Sequence, residues 1–248
     1  MAAVPRGRRR AAPARSGPCL LDAAIARCRA EGRSRLTGTV PLDHAPGMAF
    51  AQASGATIGL LTEQNRLRVA ELDRGLLRGW VDRVAERARG YSIVAFDGVC
   101  PDDWLEPFAR LTRVMNTAPR AETVEDVTFT TEQVRDNMTA YARRGHQSWT
   151  VCGHHDATDE LVGFTELGFS PHRPWLAIQG DTAVEPAHRN RGLGRWVKAL
   201  NALRLLDERP DVQQVGTWNA GVNAPMLSIN RAMGFRPAAA WQEWELAL

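Results

Sequence analysis

Thr182-Ala183-Val184-Glu185-Pro186-Ala187-His188-Arg189-Asn190-Arg191-Gly192-Leu193-Gly194 is the most informative stretch of the chain. Thr182–Val184 reads as the end of a strand, Pro186 marks a turn, and two glycines open a helix whose apolar face is Leu193, Trp196, Val197, Leu200 and Leu203. A helix N-terminus offers unpaired N–H groups and a partial positive charge, so this junction suits a phosphate. Gly192 and Gly194 clear side chains from the path of a pyrophosphate, and Arg189, Arg191 and Arg195 add positive charge. Neither GxxxxGK[ST] nor GxGxxG occurs here. By itself, the stretch also fits a tight strand-to-helix turn with solvated arginines.

The surrounding pattern is mixed α/β. Upstream, SWTVC, LVGFTELGF and WLAIQGDTAV, between Ser148 and Pro186, are short apolar runs separated by turn residues and predict a three-stranded meander. Earlier still, helical stripes run through Leu76, Leu77, Trp80, Val81 and Val84, and through Trp104, Phe108, Leu111 and Met115. A third runs through Val134, Met138 and Tyr141 behind a Thr130/Gln133 capping box. Downstream, a strand over Gln213–Trp218 precedes a helix carrying Met226, Ile229 and Met233, stopped by Gly234; a last strand is expected within Ala238–Leu246.

The chain also resembles itself. APGMAFAQASGA (Ala45–Ala56) and APMLSINRAMGF (Ala224–Phe235) place Pro and Gly at the same spacing, 46 and 55 against 225 and 234. LTGTV (Leu36–Val40) matches QVGTW (Gln214–Trp218), and an amphipathic helix precedes each. The expected organisation is a basic disordered tail (1–17), a partial, degenerate half-domain (18–71), a linker helix (72–89) and a complete domain (90–248). The upstream copy lacks RxxGxG, so it is expected to bind no phosphate-bearing ligand. Its orphan strand edge makes a homodimer a candidate assembly.

Bulk properties narrow the classes. The 248 residues carry a net charge of +3, with basic and acidic residues interleaved rather than gathered in a stripe, so no nucleic-acid partner is expected. No apolar run is long enough for a membrane helix, and a cytoplasmic protein is the expectation. Cys19, Cys28, Cys100 and Cys152 form no CxxC pair and read as reduced thiols. His154, His155 and Asp156 lie in HHDATDE, which reads as a hairpin turn rather than a metal site; no metal is expected.

The motif Arg189-Asn190-Arg191-Gly192-Leu193-Gly194, together with Asn223, position 230 and Gly234-Phe235, resembles the two signatures of the GNAT superfamily of N-acetyltransferases, in order, over roughly Ser148–Leu248. The chain further looks like tandem-repeat members of that superfamily. The resemblance implies a mixed, mostly antiparallel central sheet flanked by helices, preceded by a partial second copy. It implies acetyl-CoA as co-substrate, with Thr182, Ala183 and Val184 pairing the pantetheine arm. The loop Arg189, Asn190, Arg191, Gly192, Leu193 and Gly194, with Arg195, would hold the pyrophosphate, and Asn223 would bond the cofactor. The reaction implied is acetyl transfer to a primary amine on a small molecule or peptide.

Amine attack needs a proton acceptor, and Glu166 and Asp181 are the candidates; each equally suits a solvent-facing strand position. Asn230 stands where many members have a proton-donating Tyr, and an amide donates only a hydrogen bond. That departure keeps a non-catalytic acyl-CoA-binding sensor or scaffold as the alternative. Trp218 and Asn219 are candidates for the acceptor pocket or for core and turn roles.

Overall fold

The structure, a computed structural model, describes residues 16–118, 126–220 and 223–248. The basic tail expected over 1–17 lies outside the described residues up to residue 15. The eight strands of the described residues form a mixed, mostly antiparallel sheet flanked by helices, the fold class expected from the sequence. The described residues divide into two compact units, those up to Gly59 with Gln242–Leu248, and those within Leu60–Trp241.

The smaller unit holds α1 (Ser16–Ala30), β1 (Arg35–Pro41) and α2 (Ala45–Ala53), with one end each of β2 (Thr57–Arg68) and β8 (Arg236–Ala247). Neither helix has a buried residue, so the apolar stripe expected around Leu20–Arg29 packs into no core.

The larger unit contains α3 (Arg74–Arg87), β3 (Tyr91–Asp97), α4 (Asp102–Thr112), α5 (Thr131–Arg143), β4 (Gln147–His155), β5 (Glu160–Phe169), β6 (Leu176–Val184), α6 (Leu193–Glu208), β7 (Gln214–Ala220) and α7 (Ala224–Met233). Its strands run in the order β2-β7-β6-β5-β4-β3. Alternation along β5 sends Phe164 to one face and Leu167 and Phe169 to the other. On the first face α4 and α5 bury Leu105, Phe108, Leu111 and Val134, with Phe108 edge-on to Phe96 and Phe164 at 5.4 and 5.5 Å. On the second, α3 and α6 bury Leu77, Trp80 and Leu205 against Leu167, Ala177 and Val215. The Thr130/Gln133 capping box forms as the sequence predicts.

The order α–β–α–β over Ser16–Arg68 recurs over Leu193–Ala247, with lengths 15, 7, 9 and 12 against 16, 7, 10 and 12. Both shorter helices open on a side-chain cap, His44 or Asn223, followed by Pro. Both are followed by a glycine at positive φ, Gly55 at 80° and Gly234 at 99°.

Lys198, the chain's single lysine, is 2% exposed on α6. Among the described residues its Nζ donates only to Met226 Sδ, at 3.8 Å, and it lies 5.9 Å from the Phe235 ring. Burial with no counter-charge pushes the ammonium down to about 7. The unfolded chain holds this proton to an ordinary lysine value of 10.5, so stability from the group is complete above that pH and is lost as pH falls through 7. Lys198→Met is expected to raise the melting temperature at pH 6 and to flatten its rise between pH 7 and 10, as read by calorimetry.

Candidate functional site

Two strands of the larger unit part company. β6 pairs in parallel with β7 only through Leu176↔Gln214, Ala177↔Val215 and Ile178↔Gly216, although β6 continues to Val184 and β7 to Ala220. Beyond Ile178 the edge of β6 that faces β7 has no strand partner among the described residues, and β7 is held on its other side by β2 through Thr62–Arg68. The result is a wedge between Gln179–Val184 and Thr217–Ala220, lined by backbone donors and acceptors that an extended ligand could pair.

A bulge opens the wedge. Thr165 opposes Thr182 and Leu167 opposes Gln179, so Glu166 on β5 faces two residues, Gly180 and Asp181, on β6. Gln179 Nε2 fixes this geometry by donating to Glu166 O at 2.6 Å and to Thr165 Oγ1 at 2.9 Å; Thr165 and Thr182 share a hydroxyl bond of 2.7 Å. Glu166 keeps some accessible surface yet loses most of its hydration, as at the bottom of a recess. Burial, with the Asp181 charge beside it, pushes its carboxyl up to about 7. Burial also raises Asp181, although that residue reaches the surface. A carboxyl raised to about 7 exchanges its proton near neutral pH, unlike an exposed glutamate.

The strand–turn–helix junction adjoins these carboxyls. After Val184 the chain turns through Pro186–His188 and enters α6 at Gly192, whose φ is 88°; Asn190, at φ 64°, is a second left-handed residue in the same loop. Alternating left-handed residues turn successive N–H groups inward, a geometry that receives anions. Among the described residues no side chain caps the first turn of α6, so its amides are open to another partner. Arg189 braces the loop, donating from Nε to Val184 O at 2.9 Å and from Nη2 to Thr117 Oγ1 at 2.7 Å. Arg191 leans on Tyr91 and Arg195 on Trp80, at 5.7 and 5.6 Å.

The other predicted residues take definite places. Thr182, Ala183 and Val184 lie on the strand edge beside the wedge. Asn223 Oδ1 caps α7 by accepting from Met226 N at 3.3 Å. Asn230 is 1% exposed and donates from Nδ2 to Asn219 Oδ1 at 2.8 Å; its own Oδ1 is buried without a partner among the described residues. Trp218 is 44% exposed on β7. Sequence reasoning passed over Gln179, an internal amide in an apolar strand. It also took Tyr141 only as a helix-stripe residue, whereas its hydroxyl reaches over Gly168 and burial, with the Glu166 charge, raises its pKa.

Among the described residues no group of three or more His, Cys, Asp and Glu is disposed to hold a metal. His154 Nε2 is paired with Asp159 at 2.9 Å at the β4–β5 hairpin. Burial pushes the Cys100 thiol up to about 11 and raises Cys152 further, which leaves both unreactive. A cavity of about 460 Å³ lined by Val69, Leu205, Arg209 and Gln213 lies at the other end of β7, away from the carboxyls. No helix of the described residues is long and apolar enough to cross a membrane.

Several solved structures resemble this chain. A tandem GNAT protein from the clavulanic acid biosynthesis pathway, in a form without AcCoA, aligns at a TM-score of 0.73 and 28% identity over 96% of this chain and 71% of its own. A GCN5-related N-acetyltransferase from Sphaerobacter thermophilus aligns at 0.62 and 10% identity, over 94% and 68%. One from Kribbella flavida aligns at 0.54 and 15%, over 92% and 74%. No protein-family model and no curated protein matches the chain. The fold is the GNAT fold.

Carbon-13 NMR of glutamate side chains is expected to show one carboxyl titrating near pH 7, absent in Glu166→Gln. In Asp181→Asn that titration should move to lower pH, because a like charge has gone. A Glu166 resonance titrating at an ordinary value would contradict the geometry.

Proposed function

We propose that the chain is an N-acyltransferase that moves an acetyl group from acetyl-CoA to a primary amine. The observation that carries this reading is the wedge between β6 and β7, ending beside an uncapped helix N-terminus and flanked by a carboxyl held near neutrality. An extended pantetheine arm fits the unpaired edge of Thr182–Val184, as a third strand would. The left-handed loop at Asn190 and Gly192 and the free first turn of α6 suit its pyrophosphate. The likeness to GCN5-related N-acetyltransferases supports the same assignment.

In this reading Glu166 takes a proton from the incoming ammonium, directly or through water, with Asp181 tuning its basicity. The amine nitrogen then bonds to the thioester carbonyl carbon, and the carbon–sulfur bond breaks. A backbone N–H on the β6 edge would steady the oxyanion, a contribution of about 3 kcal/mol. A thiol of pKa near 8.5 leaves well as thiolate, so a strong acid at position 230 is not required.

Asn230 favours a second reading. Its amide holds Asn219 and is closed to solvent, so it offers no proton to a leaving thiolate. A non-catalytic acyl-CoA binder would share the cradle and lack turnover. The repeat of element lengths supports reading Ser16–Arg68 as a degenerate half-copy of the second domain.

Calorimetric titration of acetyl-CoA is expected to give micromolar binding, lost in Gly192→Trp, where a side chain meets both the left-handed φ and Val84 Cγ2 at 3.3 Å. Thiol release on adding primary amines would then establish the enzyme; binding without release would establish the binder. No binding to the unmodified protein would overturn both.

A further inference from the structure

One face of the larger unit's sheet carries a strip of small and polar residues that the acyl-transfer chemistry does not explain. The strand registers align Gly168 on β5, Ile178 on β6, Gly216 on β7 and Arg66 on β2 as one rung across four strands. Glycine occupies two of these positions, and the Tyr141 hydroxyl and the Arg66 guanidinium take the space above them. Tyr141 of α5 overhangs one end, its hydroxyl 2.7 Å from where a Gly168 Cβ would stand. Arg66 closes the other end: its Nη1 lies 2.9 Å from a Cβ built on Gly216, and Ile178 Cδ1 lies 3.5 Å from the same point. A side chain at 216 would displace the guanidinium. Glu166 shares the face of Gly168, two residues along β5, and the exposed Trp218 shares that of Gly216.

Arg66 is the anomaly. Its Nη1 is buried without a hydrogen-bond partner among the described residues. Among the described residues the charge that bears on it is another cation, Arg173, from the exposed turn between β5 and β6. A half-buried guanidinium facing a second one, with donors unspent, is costly unless an anion answers it. Arginine stays charged under such pressure, and its planar fork matches the two oxygens of one carboxylate.

Building on the acyltransferase reading, we infer that the acceptor is a primary amine carrying a carboxylate: it lies along this strip with the amine at Glu166 and the carboxylate on Arg66. Strand spacing sets the length. Gly168 on β5 and Gly216 on β7 are two strand spacings apart, about 10 Å, and Glu166 lies about 7 Å further along β5, a diagonal of about 12 Å that the two side chains shorten by reaching inward from each end. An α-amino acid, with its charges on adjacent atoms, is too short, and a chain of about five carbons between amine and acid spans the gap.

The test compares 6-aminohexanoate with 6-aminohexanamide, equal in length and differing in charge at the far end. Titration into the CoA-loaded protein needs no turnover; the carboxylate should bind at least tenfold tighter than the amide. Arg66→Met should bring the ratio to about one, Arg66→Lys should retain part of it, and Arg173→Gln should lower it by a smaller factor. Equal affinities in the unmodified protein, or a ratio that survives Arg66→Met, would overturn the assignment. Thiol release with either amine reads the acyltransferase separately, so a protein that binds the acid selectively without releasing thiol would fail that reading alone.

Discussion

The whole site depends on where the hydrogen bonding between β6 and β7 stops. Up to Ile178 and Gly216 the two strands satisfy each other, as parallel neighbours in a sheet must. Past that rung each keeps its outer partner and loses the inner one, and a row of backbone polar groups is left facing an opening. Such groups are costly without partners, so the opening is a standing invitation to a peptide-like ligand or to water. The Gly180–Asp181 bulge makes the divergence local: an extra residue on β6 bends that strand, and Gln179 locks the bend through Glu166 O and Thr165.

The same rung separates two chemistries. On the opening side lie the bulge, the raised carboxyls and the helix entry. On the closed side the sheet is continuous, and its floor is reduced to Gly168, Ile178 and Gly216 beneath Tyr141 and Arg66. The two sides therefore stand in a fixed relation to each other, with no moving part between them. Both are built on strands, which hold position better than loops do.

Much of this was legible in the sequence, and for local reasons. Each strand of the meander was marked by turn residues, and α6 by a stripe at helical spacing. The site loop was marked by Gly192 and Gly194 after a proline turn. These signals are contained within a dozen residues. Glu166 and Asp181 stood out because a carboxylate in an apolar strand is costly. Their mutual coupling was not legible, because the bulge that pairs them depends on register, which two separated segments set together. Arg66 was invisible for the same reason. In the chain it is one arginine among many, and its meaning comes from lying across from a glycine far downstream. Asn230 was recognised by position, yet its bond to Asn219 follows from how α7 packs. The amphipathic pattern of α1 shows the converse: a stripe of apolar residues states a capacity for burial without providing the partner.

The pairing of β2 with β7 also sets an order of events during synthesis. Arg68 leaves the ribosome roughly 150 residues before β7 exists, a delay on the order of ten to thirty seconds at ordinary elongation rates. Throughout it, the strand that will brace the wedge has no partner of its own, and its Leu60–Leu61 segment is apolar and free of charge. Closure of the wedge's outer wall is therefore a late, long-range step in folding, slow in the way that non-local strand pairing is slow. A nascent chain of this protein carries Arg66 well before Gly216, across from which it will lie, has been made.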